Sequence, residues 1–270
     1  MDGRANTKAW VFPRPTSHFN NVKKPFSIDV PPVFSIHFPH AYEDEENEKL
    51  VCMCSGWPPN DSKDFLGAWG GFAPVYDGIP ATFLWRLEIP MNHSTNSGST
   101  IDNNTKSNMV ELSIAKGCAN ACVEFPVVHP NFRTRKTKYV YSTISNVVGD
   151  SSAPTGYARL NVEDGNEEEL KLNIGQRNEE IDAFWLGTRV FAGEPLVIPK
   201  HDGDLERETD AYLLGMIFDA TREKSAVAVF DLEKNLADGP VCTLWLKSGV
   251  PHGLHGCFAK DDNGSSSWFC

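Results

Sequence analysis

Short strand-like segments, separated by turn residues, run through almost the whole sequence and constrain its fold more than any other feature. They are four to nine residues long, rich in β-branched and aromatic residues, and bounded by Gly, Pro, Asn and Asp. Helix signals are scarce, and only residues 60–69 fit one or two helical turns. The pattern therefore predicts an all-β protein built from antiparallel meanders. The clearest segments are Ala81–Ile89, Met109–Ile114, Lys138–Ile144, Tyr157–Val162, Glu169–Ile174, Pro195–Ile198, Ala211–Asp219, Ala226–Asp231 and Cys242–Leu246.

The segments group into units of a size that suits a repeating architecture. Four-stranded units of about 40 to 45 residues are typical of the blades of a β-propeller. Two stretches of the sequence, Lys138–Ile174 and Glu194–Leu246, are candidate blades. A pair of sheets in a β-sandwich is the alternative, and strand spacing alone leaves both open.

Residues 91–108 differ sharply in composition from the rest of the chain. They read MNHSTNSGSTIDNNTKSN, with Ile101 as the only branched aliphatic residue. Such a segment cannot bury enough apolar surface to offset the entropy lost on ordering. It lies between two strand-like segments, so we predict a flexible, low-complexity hairpin loop within a single domain of residues 1–270.

The charge balance and hydropathy of the chain exclude several classes of protein. The 25 Lys and Arg residues against 36 Asp and Glu give a net charge of −11, and no basic stripe suited to phosphate groups is visible, so no nucleic-acid partner is expected. The sequence contains no run of about 18 apolar residues, so no transmembrane helix is predicted. The first residues resemble neither a signal peptide nor a transit peptide, which favours an intracellular protein.

The seven cysteines are too few and too widely spread for a disulfide scaffold, and reduced thiols are expected. A zinc site built from Cys52, Cys54, Cys118 and Cys122 is a weaker alternative, because their spacings are looser than those of paired zinc knuckles.

Two histidines and two glutamates lie in unusual sequence surroundings. His37 lies within an aromatic strand-like segment that runs into an acidic turn, and His255 is flanked by glycines. Glu124 and Glu194 lie in apolar, strand-like segments, where a buried carboxylate needs a partner. Such a partner is either a basic side chain or a metal-binding imidazole, whose second ring N–H commonly bonds to a carboxylate. The residue pattern leaves both interpretations open, as well as simple exposure at a strand end.

A series of motifs in this order resembles the carotenoid cleavage oxygenases over about residues 10 to 260. The motifs are WVFPR, FSIHFPHAYEDE, VEFPVVHPNFRTRKTKYVYSTIS, GEPLVIP, ETDAYLLGMIFD, SAVAVFDLEKN and PVCTLWLKSGVPHGLHGCF. The resemblance implies a seven-bladed β-propeller with a non-haem Fe(II) ion held on its axis by four histidines. It also implies a dioxygenase that uses O2 to split a conjugated carbon–carbon double bond of a carotenoid or apocarotenoid into two carbonyl products.

The motif match also implies roles for individual residues. His37 and His255 correspond to the third and fourth iron ligands of that family, and hence to catalytic residues. Glu124 and Glu194 correspond to carboxylates that orient ligand histidines. His40 and His252 do not correspond to ligands.

The resemblance covers only the C-terminal half of such enzymes, which are about twice as long as this chain. We therefore expect a partial β-propeller, about four blades of seven, without the first two ligand histidines. The expected function is that of an incomplete chain of the dioxygenase. The alternatives are a truncated, non-catalytic paralogue that acts as a binding or regulatory protein, and a β-propeller interaction module whose His and Glu residues are structural. A separation of more than about 10 Å between His37 and His255 would exclude a shared metal.

Several properties of the full-length enzyme follow from the resemblance only in outline. Peripheral membrane association is compatible with it, and either a plastid or the cytoplasm would suit the chain. The open edges of a partial propeller favour self-association. The polyene and the bond cleaved are not specified by the sequence.

Overall fold

The computed structural model describes residues 7–12, 25–58, 79–91, 112–114, 122–145, 151–162, 182–251, 253–260 and 266–269. Nearly all regular structure in them is β-strand, and short 3₁₀ turns cover Pro130–Phe132 and Leu236–Asp238. In this part of the chain, no helix has the length and hydropathy needed to cross a membrane. The strands are β1 (Thr7–Val11), β2 (Phe26–Val30), β3 (Phe34–Asp44), β4 (Lys49–Trp57), β5 (Phe83–Pro90), β6 (Leu112–Ile114), β7 (Val123–Val127), β8 (Tyr139–Ile144), β9 (Gly156–Asn161), β10 (Asp182–Trp185), β11 (Val190–Pro199), β12 (Ala211–Asp219), β13 (Lys224–Asp231), β14 (Cys242–Trp245), β15 (Cys257–Lys260) and β16 (Ser266–Phe269).

Twelve of these strands form three four-stranded antiparallel meanders. Strands β3–β6 form the first sheet, β7–β10 the second and β11–β14 the third. In each sheet the spatial order follows the chain order, so every connection joins neighbouring strands. Strands β1 and β2 form a two-stranded sheet, as do β15 and β16.

The apolar cores lie between consecutive sheets. The first core joins the first sheet to the second, and the second core joins the second sheet to the third. Fully buried side chains of the first core include Val51, Leu84, Val123, Val140 and Ala158. Those of the second include Tyr141, Tyr157, Leu213, Ala226 and Phe230. A smaller core around Val11 and Ile89 packs the β1–β2 sheet against the first four-stranded sheet. Sheets stacked face to face in chain order are the arrangement expected of propeller blades.

The strand prediction agrees with the structure in most of the described segments. Strand β12 has the predicted bounds, and the candidate blade Glu194–Leu246 corresponds to β11–β14. The other candidate blade, Lys138–Ile174, starts one strand late, because the second sheet begins at Val123. Strand β7 is only five residues long and contains Pro126, which cannot donate a ladder hydrogen bond, so its strand signal is weak. The predicted strand 169–174, helical turns 60–69 and loop residues 92–108 lie outside the described residues.

Candidate metal centre

Three of the four site residues predicted from the sequence lie at irregularities in strand pairing. A β-bulge places two residues opposite one and re-aims the side chains beside it. His37 lies on β3, Glu124 on β7 and Glu194 on β11, each the first strand of its sheet. The pairing register shifts between Ser35 and His37, between His37 and His40, between Glu124 and Val127, and between Ala192 and Pro195.

His37 is hydrogen-bonded to Glu124 across two sheets. Its Nδ1 donates to Glu124 Oε2 over 2.7 Å, and the two side chains are 12% and 15% exposed. The carbonyl of Glu124 accepts from Ser142 Oγ and Thr143 Oγ1 at 2.7 and 2.8 Å, which holds the bulged backbone in place. The second carboxylate oxygen, Oε1, is buried and has no hydrogen-bond partner in the described part of the chain.

His255 forms the matching pair with Glu194. Its Nδ1 donates to Glu194 Oε1 over 3.0 Å, while the backbone N–H of Gly256 donates to Oε2 over 2.7 Å. Both carboxylate oxygens therefore hold the segment that leads into β15. Glu194 is 16% exposed and His255 is 55% exposed, so this imidazole lies at an open surface of the described protein.

The two imidazole rings are neighbours, with centroids 5.3 Å apart and planes at 85°. Phe125 contacts both, at centroid distances of 4.8 Å to His37 and 6.0 Å to His255. Its φ of 50° is uncommon for a bulky residue and falls within the register shift of β7. The sequence analysis did not single out Phe125. The only signal was its place between a glutamate and a proline in an interrupted strand.

The hydrogen bonds leave the other ring nitrogens available. A neutral imidazole that donates from Nδ1 carries a lone pair on Nε2. Neither Nε2 of the pair forms a hydrogen bond with any described residue. An imidazole whose Nδ1–H is held by a carboxylate is the usual form of a metal-binding histidine. Over the described ranges, however, no group of three or more His, Cys, Asp or Glu side chains is arranged to hold a metal ion. The described residues thus bring two imidazoles together and add no third side chain of these types.

The other histidines named from the sequence have different surroundings. His40 is buried, and its Nε2 donates to the Arg135 carbonyl over 2.7 Å. Burial lowers the pKa of His40, although that hydrogen bond and the charge of Glu208 partly offset the effect. His252 lies outside the described residues, as does Cys118 of the alternative zinc site.

The chain is similar to known proteins over most of its length. A family model described as "Retinal pigment epithelial membrane protein" matches residues 1–260. Apocarotenoid-15,15'-oxygenase of Synechocystis is 29% identical over 226 residues, which cover 83% of this chain and 38% of that relative. Carotenoid 9,10(9',10')-cleavage dioxygenase 1 of Pisum sativum is 26% identical over 236 residues, covering 87% and 38%. The chain thus spans less than half the length of these curated relatives.

Solved structures agree on the fold. The crystal structure of cobalt-substituted Synechocystis apocarotenoid oxygenase matches with a TM-score of 0.68 and 22% identity, covering 99% of this chain and 44% of that one. A chimera of that oxygenase and the retinal pigment epithelial protein gives the same TM-score at 21% identity. The predicted fold class, an all-β partial β-propeller, is confirmed.

Proposed function

The chain belongs to the retinal pigment epithelial membrane protein family, and from that membership we propose that it is part of a non-haem Fe(II)-dependent dioxygenase. The enzyme would cleave a conjugated carbon–carbon double bond of a carotenoid or apocarotenoid into two carbonyl products. Two relatives whose names state apocarotenoid oxygenase and carotenoid cleavage dioxygenase support this substrate class.

The observation that carries the proposal is the convergence of two carboxylate-held imidazoles. His37 and His255 come from distant parts of the chain, and their rings lie 5.3 Å apart, well inside the separation that would exclude a shared metal. Each Nδ1 is held by its own glutamate, and each Nε2 is left for a ligand bond. We therefore assign His37 and His255 as iron ligands, with Glu124 and Glu194 orienting them.

The donor set suits Fe(II). Imidazole nitrogen is a common ligand of this ion, and a site with few protein ligands keeps coordination positions open. The Oε1 of Glu124, which is buried and has no hydrogen-bond partner among the described residues, adds negative charge beside His37 that would stabilise a nearby cation. When bound, Fe(II) supplies the redox chemistry of O2 activation. The protein's own contribution is to fix both rings and to line one side of the centre with the apolar ring of Phe125.

Metal binding by the 270-residue chain tests the ligand assignment. The protein is purified without oxygen and titrated with Fe(II), and in parallel with Co(II), whose visible spectrum reports on its ligands. We expect binding by the wild type and its loss in both His37→Ala and His255→Ala. His201→Ala is the control, because its side chain is 94% exposed and, among the described residues, pairs only with the adjacent Asp202.

Unchanged metal binding in His255→Ala would contradict the assignment.

Cleavage is measured on the full-length gene product carrying the same substitutions, by identifying carbonyl products after incubation with a carotenoid or an apocarotenoid. We expect no product from either ligand variant and normal product from His201→Ala. A non-catalytic binding protein gains no support from the relatives, whose names describe an oxygenase and a cleavage dioxygenase.

A further inference from the structure

The bulge that carries Glu194 interrupts the pairing of β11 with β12. Ala192 pairs with Ile217 and Pro195 pairs with Gly215, so Gly193 and Glu194 together face Met216. Pro195 has no N–H to donate across the ladder. A carbonyl beside such an interruption gains from another donor, since an unpaired buried polar group is costly.

The donor comes from a neighbouring sheet. The hydroxyl of Tyr157, on β9, lies 3.2 Å from the Gly193 carbonyl and 3.0 Å from the Met216 carbonyl. Tyr157 is fully buried, and burial raises its pKa, so the hydroxyl keeps its proton and acts as a donor shared by the two carbonyls. The bridge therefore ties both sides of the bulge to the second sheet.

Gly215 makes room for this contact. A Cβ atom at position 215 would lie 2.2 Å from the Tyr157 hydroxyl oxygen and 2.3 Å from Cζ. Real side chains do not approach so closely, and the clash would be with the stiff ring. The tyrosine hydroxyl can therefore reach the bulge because position 215 carries no side chain.

We propose that Tyr157 is a positioning residue for the metal centre: its hydroxyl holds the β11 bulge in the shape that brings the Glu194 carboxylate to His255 and Gly256. Gly193, whose carbonyl accepts from the Tyr157 hydroxyl, directly precedes Glu194 in the chain. The geometric part of this inference stands without a metal, whereas its effect on ligation rests on the proposed function.

The test removes only the hydroxyl, in Tyr157→Phe. The control is Tyr141→Phe, a fully buried tyrosine on the neighbouring strand β8 that makes neither of the bulge hydrogen bonds. The first measurement is the exchange rate of the Gly256 amide by NMR in metal-free protein, because this amide donates to Glu194 Oε2. We expect the Gly256 amide to exchange about tenfold faster in Tyr157→Phe and at the wild-type rate in Tyr141→Phe. The urea midpoints of the variants are measured to correct these rates for differences in global stability.

The second measurement is the dissociation constant for Co(II), expected to rise several-fold in Tyr157→Phe alone. Equal Gly256 exchange in Tyr157→Phe and wild type would overturn the inference, even if the wild type binds metal. If no form binds metal but Gly256 responds as expected, the proposed iron centre fails and the role of Tyr157 in holding Glu194 stands.

Discussion

The ring of His255 stands nearly perpendicular to that of His37, with their centroids 5.3 Å apart. His37 lies on β3, whereas His255 lies in the segment that leads into β15, two residues before that strand begins. Their partners, Glu124 and Glu194, come from two further sheets. The centre is therefore held by three four-stranded sheets and by the segment before β15, and a change in how these elements pack changes its geometry.

The two glutamates are expected to govern metal affinity by holding the imidazoles. Glu124→Gln and Glu194→Gln should each weaken Co(II) binding roughly 10- to 100-fold, because the amide is a poorer acceptor for the Nδ1–H. Isothermal titration of the 270-residue chain measures this. Glu206→Gln is the control, since Glu206 pairs with Arg135 at the surface. Affinities equal to that of the wild type in both test variants would rule out the orienting role.

Glu208 joins the loop before β12 to the start of β8. Its carboxylate accepts from Thr137 Oγ1 at 2.7 Å and from the backbone N–H groups of Lys138 and Tyr139 at 2.6 and 3.0 Å. Glu208→Ala leaves these donors without that acceptor and should lower the free energy of unfolding by about 2 kcal/mol, measured by urea denaturation. Glu206→Ala, two residues away, removes only an exposed ion pair and should have a much smaller effect. Equal losses would contradict this interpretation.

Gly56 lies where no side chain fits. A Cβ atom there would be 2.7 Å from the Phe34 carbonyl oxygen and 3.0 Å from a methyl group of Val33. Gly56→Ala should push the start of β3 away and reduce the free energy of unfolding by about 1–3 kcal/mol. Gly253→Ala serves as the comparison, because nothing lies within 4 Å of a Cβ atom at that position. Urea midpoints of the two variants measure the difference, and a stable Gly56→Ala protein would show that β3 can move.

The pH dependence of stability is expected to carry a contribution from His40. Its folded-state pKa is lower than 6.5, chiefly because of burial, so the unfolded chain binds more protons near and below pH 6.5. This contribution is complete above pH 6.5 and is lost as the pH falls from there toward the folded-state pKa. The urea midpoint should therefore fall from pH 7 to pH 5, less steeply in His40→Gln than in wild type. His201→Gln should keep the wild-type slope, and a wild-type slope in His40→Gln would contradict the prediction.

Much of the fold could be predicted because its signals are local. Strand β12 alternates buried and partly exposed residues between clear turns, and its predicted bounds match the structure. Strand β7 gave a weak signal because it is short, bulged and contains Pro126. A bulge has no reliable mark in a single sequence, since pairing partners decide where the register shifts.

The site could be predicted only in part for the same reason. Family motifs singled out His37, His255, Glu124 and Glu194, but nothing local states which glutamate bonds to which histidine. Those bonds join residues 87 and 61 positions apart. In the sequence, Tyr157 is indistinguishable from other core aromatic residues at the start of a strand. Its contact with Gly215 depends on how two sheets pack.

Because β3, β7 and β11 are bulged, the number of residues in each of these strands determines the face to which its site residue points. A bulge already adds one residue against the partner strand, and side chains alternate between the two faces of a sheet. One more insertion, or one deletion, between the bulge and the strand end would turn the site residue to the opposite face. Connecting loops can therefore change in length during evolution far more freely than these three strands. In the strands, the insertion or deletion of a single codon is enough to disrupt the centre.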